Sequence, residues 1–106
     1  KDGVHIGSVG YNPPGSELGA ALAASGRLFV ESRRAFEAAP AGCVELAGMD
    51  PQLGTELGEV LLGVRPGRRE AEERTIYKSM GHAMEDAVAA NLVYRLARER
   101  GVGPPL

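Results

Sequence analysis

The sequence predicts an α/β protein in which a parallel sheet is followed by a long C-terminal helix. Two short apolar runs, residues 4–9 and 27–31, are each followed by a segment with helical signals. This strand–helix–strand–helix order is typical of a parallel sheet. A third β-like run, Thr75 to Tyr77, passes through a short polar segment into an alanine-rich stretch that continues to Arg100. The periodic apolar residues of that stretch predict one long amphipathic helix.

The first half of the chain alternates extended and helical segments. Val4 to Val9 alternates apolar with small or polar residues, which predicts a buried strand. Two prolines exclude a helix from the loop that follows, and the next helix is predicted over Glu17 to Ala24. After a second strand at Arg27 to Glu31, Ser32 is predicted to cap a helix over residues 33–38.

The second half is predicted to contain two further helices and one strand. Residues 40–53 carry prolines and glycines and are predicted to be irregular. A helix is predicted over residues 55–62, and a solvated charged run over 68–74 precedes the last strand. The last helix is predicted from Met80 to Arg100, and its apolar face is expected to be buried in a core or a dimer contact; the face repeats at Met84, Val88, Leu92 and Leu96.

Composition narrows the classes of function. A chain of 106 residues makes one domain or a piece of a larger one, and its start at Lys1 predicts a cut rather than a natural N-terminus. A net charge of −2 argues against nucleic acid or an anionic membrane as partner. No apolar run is long enough to span a bilayer. A single cysteine, Cys43, excludes an intrachain disulfide and fits the cytoplasm, the expected location.

Three segments occur in a specific order and spacing: Val4–Gly10 with a proline loop and Glu17-Leu18, then Glu56–Val60 with Gly63 and Pro66–Arg68, then Ile76–Gly81 with Glu85–Ala90. In this arrangement they resemble the ornithine cyclodeaminase/μ-crystallin family. The resemblance extends over nearly the whole chain and is weaker over residues 40–53. The three segments in register are specific, whereas each one alone is not.

The resemblance implies the C-terminal third of a homodimeric protein that uses NAD or NADP and acts on a small amino acid or cyclic imine. Residues 1–75 would be the closing part of a Rossmann-type domain. Residues 76–106 would be a strand and a helix that return to a substrate and dimerisation domain. The sequence has no Gly-rich dinucleotide fingerprint, so the chain alone is not expected to bind cofactor tightly or turn over substrate. It leaves the substrate and the choice between NAD and NADP open.

The resemblance also implies a site at the C-terminal ends of two strands, where open α/β sheets bind ligands. The segment expected beside the nicotinamide comprises Val9, Gly10, Tyr11 and Asn12. Ser79 would contact the nicotinamide carboxamide, and Met80 would face the substrate. Independently of the family, the strand-to-helix junction at Ser79 is expected to present free backbone N–H groups.

Asn12 is the candidate catalytic residue by resemblance, because it stands where family cyclodeaminases carry an aspartate that acts in proton transfer. An asparagine cannot act as a general base and can only orient a group by hydrogen bonding. The sequence therefore favours a dehydrogenase or ketimine reductase. Two alternatives stay open: a true ornithine cyclodeaminase that releases ammonia and recycles NAD, and a non-catalytic truncated binding or dimerisation module.

Simpler interpretations accompany several of these residues. Ser79 could serve only as the N-cap of the last helix, and Lys78 is predicted to be a surface lysine. His5 and His82 have no Cys, Asp or Glu at ligand spacing, so no metal site is predicted.

Overall fold

The computed structural model describes residues 1–10 and 14–103. It confirms the predicted α/β class with a parallel sheet and a long C-terminal helix. The elements in chain order are β1 (His5–Ser8), α1 (Ala20–Ala23), β2 (Arg27–Val30), a 3-10 helix (Arg33–Phe36), a second 3-10 helix (Pro51–Leu53), β3 (Gly54–Glu56), α2 (Leu57–Leu61), β4 (Thr75–Lys78) and α3 (Ala83–Glu99). Among the described residues, no helix is both long enough and apolar enough to cross a membrane.

The sheet has the strand order β1-β4-β2-β3, and every pairing is parallel. The last strand in the chain therefore lies between the first two. Ser8, Lys78 and Val30 form one row across three strands, so the segments that follow these residues leave the sheet side by side. This topology brings distant parts of the sequence to one edge, and that edge carries the candidate site.

One face of the sheet carries the hydrophobic core. Alternate residues of the strands point to this face, as the period of two requires. The core consists of Leu18, Ala23, Leu28, Val30, Ala35, Phe36, Cys43, Leu46 and Ile76. Cys43 is completely buried, and burial is the main cause that raises the pKa of its thiol to about 11. The thiol is consequently a small core group and not a nucleophile.

Two of the predicted helices are shorter than expected. The helix predicted over Glu17 to Ala24 is only α1, which begins after Gly19, and the backbone N–H of Glu17 donates to the side chain of Glu45. The helix predicted over 33–38 is the 3-10 turn Arg33–Phe36. Its predicted cap is confirmed, since the hydroxyl of Ser32 accepts from the backbone N–H of Arg34.

The prediction of a helix over residues 55–62 missed a strand. Gly54–Glu56 pairs with β2, and only Leu57–Leu61 is helical. A capping box between Glu56 and Glu59 starts the helix at this point. The side chain of Arg33 bridges to Glu59 at 2.6 Å, which links the 3-10 turn to α2. Pairing with the neighbouring strand and this ion pair therefore override the local helical pattern.

The last helix begins three residues later than predicted. The ring nitrogen Nδ1 of His82 accepts from the backbone N–H of Met84 at 3.2 Å, so His82 and not Ser79 is the N-cap. Gly81 makes the preceding turn with a φ of +76°, which favours glycine. Strand β4 lies within the sheet, and α3 extends away from it. The predicted division into a domain of residues 1–75 and a returning segment of residues 76–106 stays a prediction.

The apolar face of α3 has no partner within the described part of the chain. No residue of the helix is buried, and Met84 and Leu92 are 64% and 52% exposed. The Cα radius of gyration is 16.7 Å, compared with about 13 Å for a compact domain of 100 residues. Of the two expected contacts, a core or a dimer contact, the described residues do not provide the first, and the second stays a prediction.

We expect Gly54→Ala to destabilise the complete protein by about 1–3 kcal/mol, because overpacking forces neighbours to move. A Cβ at Gly54 would lie 2.6 Å from the ring of Phe36. Gly58→Ala in α2 is the matched control: its Cβ meets nothing within 4 Å, and alanine favours a helix by up to about 1 kcal/mol. Denaturation curves of both variants measure the difference. Equal stability of the two variants would contradict the close packing at Gly54.

Candidate functional site

Three chain segments meet at the C-terminal edge of the sheet. Gly10 follows β1, Glu31 follows β2, and Ser79 follows β4. The backbone N–H of Ser79 donates to the carbonyl of Ser8 at 2.9 Å, which ties the ends of the first and last strands together. The predicted site residues Val9, Gly10, Ser79 and Met80 therefore lie at one edge, whereas Tyr11 and Asn12 lie outside the described residues. The roles predicted for all six stay predictions.

Lys78 is buried beneath this edge, so the prediction of a surface lysine is wrong. Its side chain is 1% exposed. The ammonium donates to the carbonyl of Gly10 at 2.6 Å and to the hydroxyl of Ser8 at 3.1 Å. It also lies 3.1 Å from Glu45 and 3.8 Å from Glu17. A lysine at the end of a central strand is enclosed by both neighbouring segments, and it must find its partners there.

The two carboxylates beside Lys78 are held in their charged form. Burial acts to raise the pKa of Glu45, but hydrogen bonds from its own backbone, from Lys78 and from the Glu17 amide outweigh burial and lower that pKa. The hydroxyl of Ser8 and the amide of Gly10 are the main causes that lower the pKa of Glu17. We call Lys78, Glu45, Glu17 and Ser8 the lysine cluster.

The carboxylate of Glu17 binds the last residue of β1 and the segment that follows it. One oxygen of its carboxylate accepts from the Ser8 hydroxyl at 2.6 Å and from the Gly10 backbone N–H at 2.8 Å. A Cβ at Gly10 would lie 1.9 Å from the other oxygen, so a larger residue would displace this carboxylate. The chain therefore leaves β1 in a direction set by the lysine cluster, immediately before the segment predicted to run beside a nicotinamide.

Glu31 occupies the neighbouring position after β2. Its carboxylate accepts from the hydroxyl of Ser79 and, at 2.8 Å, from the backbone N–H of Met80. The backbone N–H of Gly81 donates in turn to the Ser79 hydroxyl oxygen at 3.0 Å. The junction therefore does not present free N–H groups at residues 79–81, contrary to the expectation from the sequence, because side chains of the protein already accept from them.

Sequence reasoning missed Glu31, Glu45 and Lys78. A charged residue directly after a buried strand was the available signal for Glu31, since the carboxyl ends of parallel strands meet at one edge. Glu45 lies in the segment predicted to be irregular and carries no local signal. The burial of Lys78 follows from the central place of β4 in the strand order, which the sequence does not give.

A cavity lies on the other face of the sheet, toward the N-terminal ends of the strands. It has a volume of about 470 Å³ and is lined by His5, Phe29, Leu57, Val60, Gly67, Arg68, Thr75 and Tyr77. The Thr75 hydroxyl bonds both the His5 ring, at 2.8 Å, and the Arg68 guanidinium, at 2.9 Å. No cluster of three metal-ligating side chains occurs within residues 1–10 and 14–103.

Open α/β proteins bind ligands at the carboxyl edge of a parallel sheet. This chain has such a sheet, with segments that converge at that edge, and so falls in this class of fold. The sequence profile of the ornithine cyclodeaminase/mu-crystallin family matches residues 1–101. The chain belongs to this family, and the resemblance drawn from its three segments is confirmed.

Individual relatives agree with this assignment. The chain is 44% identical over 95 residues to the ketimine reductase mu-crystallin of Macropus fuliginosus, covering 89% of this chain and 29% of that protein. It is 35% identical over 108 residues to a Δ1-pyrroline-2-carboxylate reductase of Bacillus cereus, covering 95% of this chain and 33% of that protein. The chain thus spans about a third of the length of the curated relatives it matches.

A solved structure has the same fold. The Δ1-pyrroline-2-carboxylate reductase of Thermococcus litoralis, in complex with NADH and L-proline, superposes with a TM-score of 0.75 and 32% identity. The match covers 99% of this chain and 34% of that one. The described fold therefore matches about a third of that structure, and the likeness extends to nearly every residue of this sequence.

We expect Lys78→Met to destabilise the complete protein by about 3–5 kcal/mol, because it leaves buried carboxylate charge without a partner. The double variant Lys78→Met/Glu45→Gln removes both charges and keeps an acceptor for the Glu17 amide. It should recover at least half of the lost stability. Denaturation followed by circular dichroism measures both. If Lys78→Met alone is as stable as the wild type, the prediction is contradicted, because an enclosed lysine could not be removed without loss of stability.

The lysine cluster also predicts a dependence on pH. The pKa of Glu45 lies below its ordinary value of 4.5 in the folded protein, so its stabilisation is fully present above that value and is lost as pH falls through the folded pKa. The melting temperatures of wild type and Glu45→Gln should differ most near neutral pH and converge as the pH falls through the lowered pKa of Glu45. Glu37→Gln, on an exposed side chain, is the control. A difference that grows on acidification would contradict the prediction.

Proposed function

We propose that this chain is the C-terminal portion of an NAD(P)-dependent oxidoreductase that acts on a small amino acid or cyclic imine, of the dehydrogenase or ketimine reductase type. The observation that carries the proposal is the convergence of the segments after β1, β2 and β4 at the carboxyl edge of a parallel sheet. The likeness to a reductase in complex with NADH and L-proline supports this ligand class.

The residues of the edge fit one end of such a cofactor. Glu31 and Ser79 offer hydrogen-bond acceptors that suit a carboxamide, and Gly10 follows β1 without a side chain. When bound, the nicotinamide would supply hydride transfer to or from the carbon bonded to the substrate nitrogen. This chain would position the nicotinamide end. The sequence has no Gly-rich phosphate loop, so residues outside it would hold the pyrophosphate.

We propose that two surfaces are completed by the rest of the protein and by a second copy. Within the described residues β1 pairs only with β4, so its other edge is free for a further strand. Parallel sheets are normally covered on both faces, and the open cavity at Phe29 and Tyr77 fits that requirement. The exposed apolar face of α3 suits a contact within a homodimer.

One alternative keeps the family and changes the reaction to the loss of ammonia from ornithine. Asn12 in place of an aspartate counts against it, because an amide cannot accept the proton. A second alternative is a non-catalytic binding or dimerisation module. The exposed apolar face of α3 is the observation that favours it.

The experiment is to express the complete reading frame that contains residues 1–106 and to titrate it with NADH and NADPH by fluorescence. We expect binding of at least one of them, and oxidation of it upon addition of Δ1-pyrroline-2-carboxylate. Ammonia release from ornithine without net change in NADH would instead indicate the cyclodeaminase. Absence of dinucleotide binding by the complete protein would contradict the proposal and favour the module.

A further inference from the structure

We infer that Glu31 is a specificity-determining residue that makes the carboxyl edge of the sheet accept hydrogen bonds, and that its ligand is the carboxamide NH2 group of a nicotinamide. The inference rests on the proposed function. Neither the sequence segments nor the family assignment identifies Glu31 or predicts that this edge accepts hydrogen bonds.

The backbone donors at this edge are already used within the protein. The N–H of Ser79 donates to the carbonyl of Ser8, and the N–H of Met80 donates to Glu31. The N–H of Gly81 donates to the Ser79 hydroxyl oxygen. Residues 79–81 consequently have no backbone N–H left for a carboxylate, a phosphate or the oxygen of a carboxamide.

The hydroxyl hydrogen of Ser79 is also already used within the protein. A serine hydroxyl has one hydrogen, and here it is donated to the Oε2 atom of Glu31. Ser79 is buried and also forms a side-chain hydrogen bond with Tyr77, so Glu31 is the acceptor that stays open to a ligand. The carboxylate of Glu31 has no hydrogen to donate and has lone pairs beyond the two that Ser79 and Met80 occupy.

The same pattern holds at the neighbouring strand end. The N–H of Gly10 donates to Glu17, so it too is unavailable to a ligand. The backbone donors of residues 10 and 79–81 are therefore used, and the Glu31 carboxylate beside them suits a hydrogen-bond donor. In a nicotinamide cofactor the carboxamide has one acceptor oxygen and one NH2 donor group, and the NH2 end matches this carboxylate. Glu31 contacts the ligand directly and also holds the Ser79 hydroxyl and the Met80 N–H in place.

The test compares NADH with its reduced 3-acetylpyridine analogue, in which a methyl group replaces the NH2. Equilibrium dissociation constants are measured by fluorescence on the complete protein. We expect the wild type to bind NADH about tenfold more tightly, the size of one hydrogen bond to a charged group. This measurement needs no variant. An analogue that binds as tightly as NADH overturns the inference.

Glu31→Gln tests the residue itself. The amide oxygen of glutamine would accept from Met80, which leaves its NH2 facing the Ser79 hydroxyl and frees the hydroxyl hydrogen to donate elsewhere. We expect the tenfold preference for NADH to fall to about twofold or less. Glu37→Gln is the control: Glu37 is exposed and pairs with Arg34 at 3.5 Å. It should keep the wild-type ratio.

Three outcomes separate the inference from the proposed function. A wild type that binds neither dinucleotide overturns both. A wild type that prefers NADH, with a Glu31→Gln variant that is folded and keeps the full ratio, overturns the inference alone. If Glu31→Gln does not fold, the wild-type ratio decides by itself: a tenfold preference for NADH supports the inference and equal binding overturns it.

Discussion

The buried ammonium of Lys78 determines how the carboxyl edge of the sheet is arranged. A charged group enclosed by a sheet has a high desolvation cost unless it is paired and hydrogen-bonded. Glu45 comes from an irregular segment and Glu17 from the loop after β1, and both meet Lys78 at the end of the central strand. The carbonyl of Gly10 completes its coordination. The position of two otherwise weakly defined segments follows from the need to neutralise one charge.

This arrangement changes the character of the strand-to-helix junction. Helix N-termini commonly bind anions through free backbone N–H groups. Here Glu31, Ser79 and the capping His82 take up the donors of Met80, Gly81 and Met84, which precede or begin α3. The carboxylate of Glu31 and the hydroxyl of Ser79 therefore face this junction in place of the free N–H groups of residues 79–81.

The surfaces without partners are as informative as the site. Within the described residues, the apolar side of α3, the cavity beside Phe29 and the outer edge of β1 have no covering element. They are the surfaces that we propose are completed by the rest of the protein and by a second copy. The core beneath the sheet is nevertheless complete, with Val30 and Ile76 fully buried.

The sequence by itself determined the α/β class, the positions of β1, β2 and β4, the long helix and the family, because these depend on local alternation, periodicity and short segments. Tertiary structure decided that residues 54–56 form a strand, that Lys78 is buried and that Glu31 bonds Ser79. Glu31 and Ser79 are 48 residues apart, and Lys78 and Gly10 are 68 apart. Contacts of this kind depend on strand order, and strand order is set by how the whole chain packs.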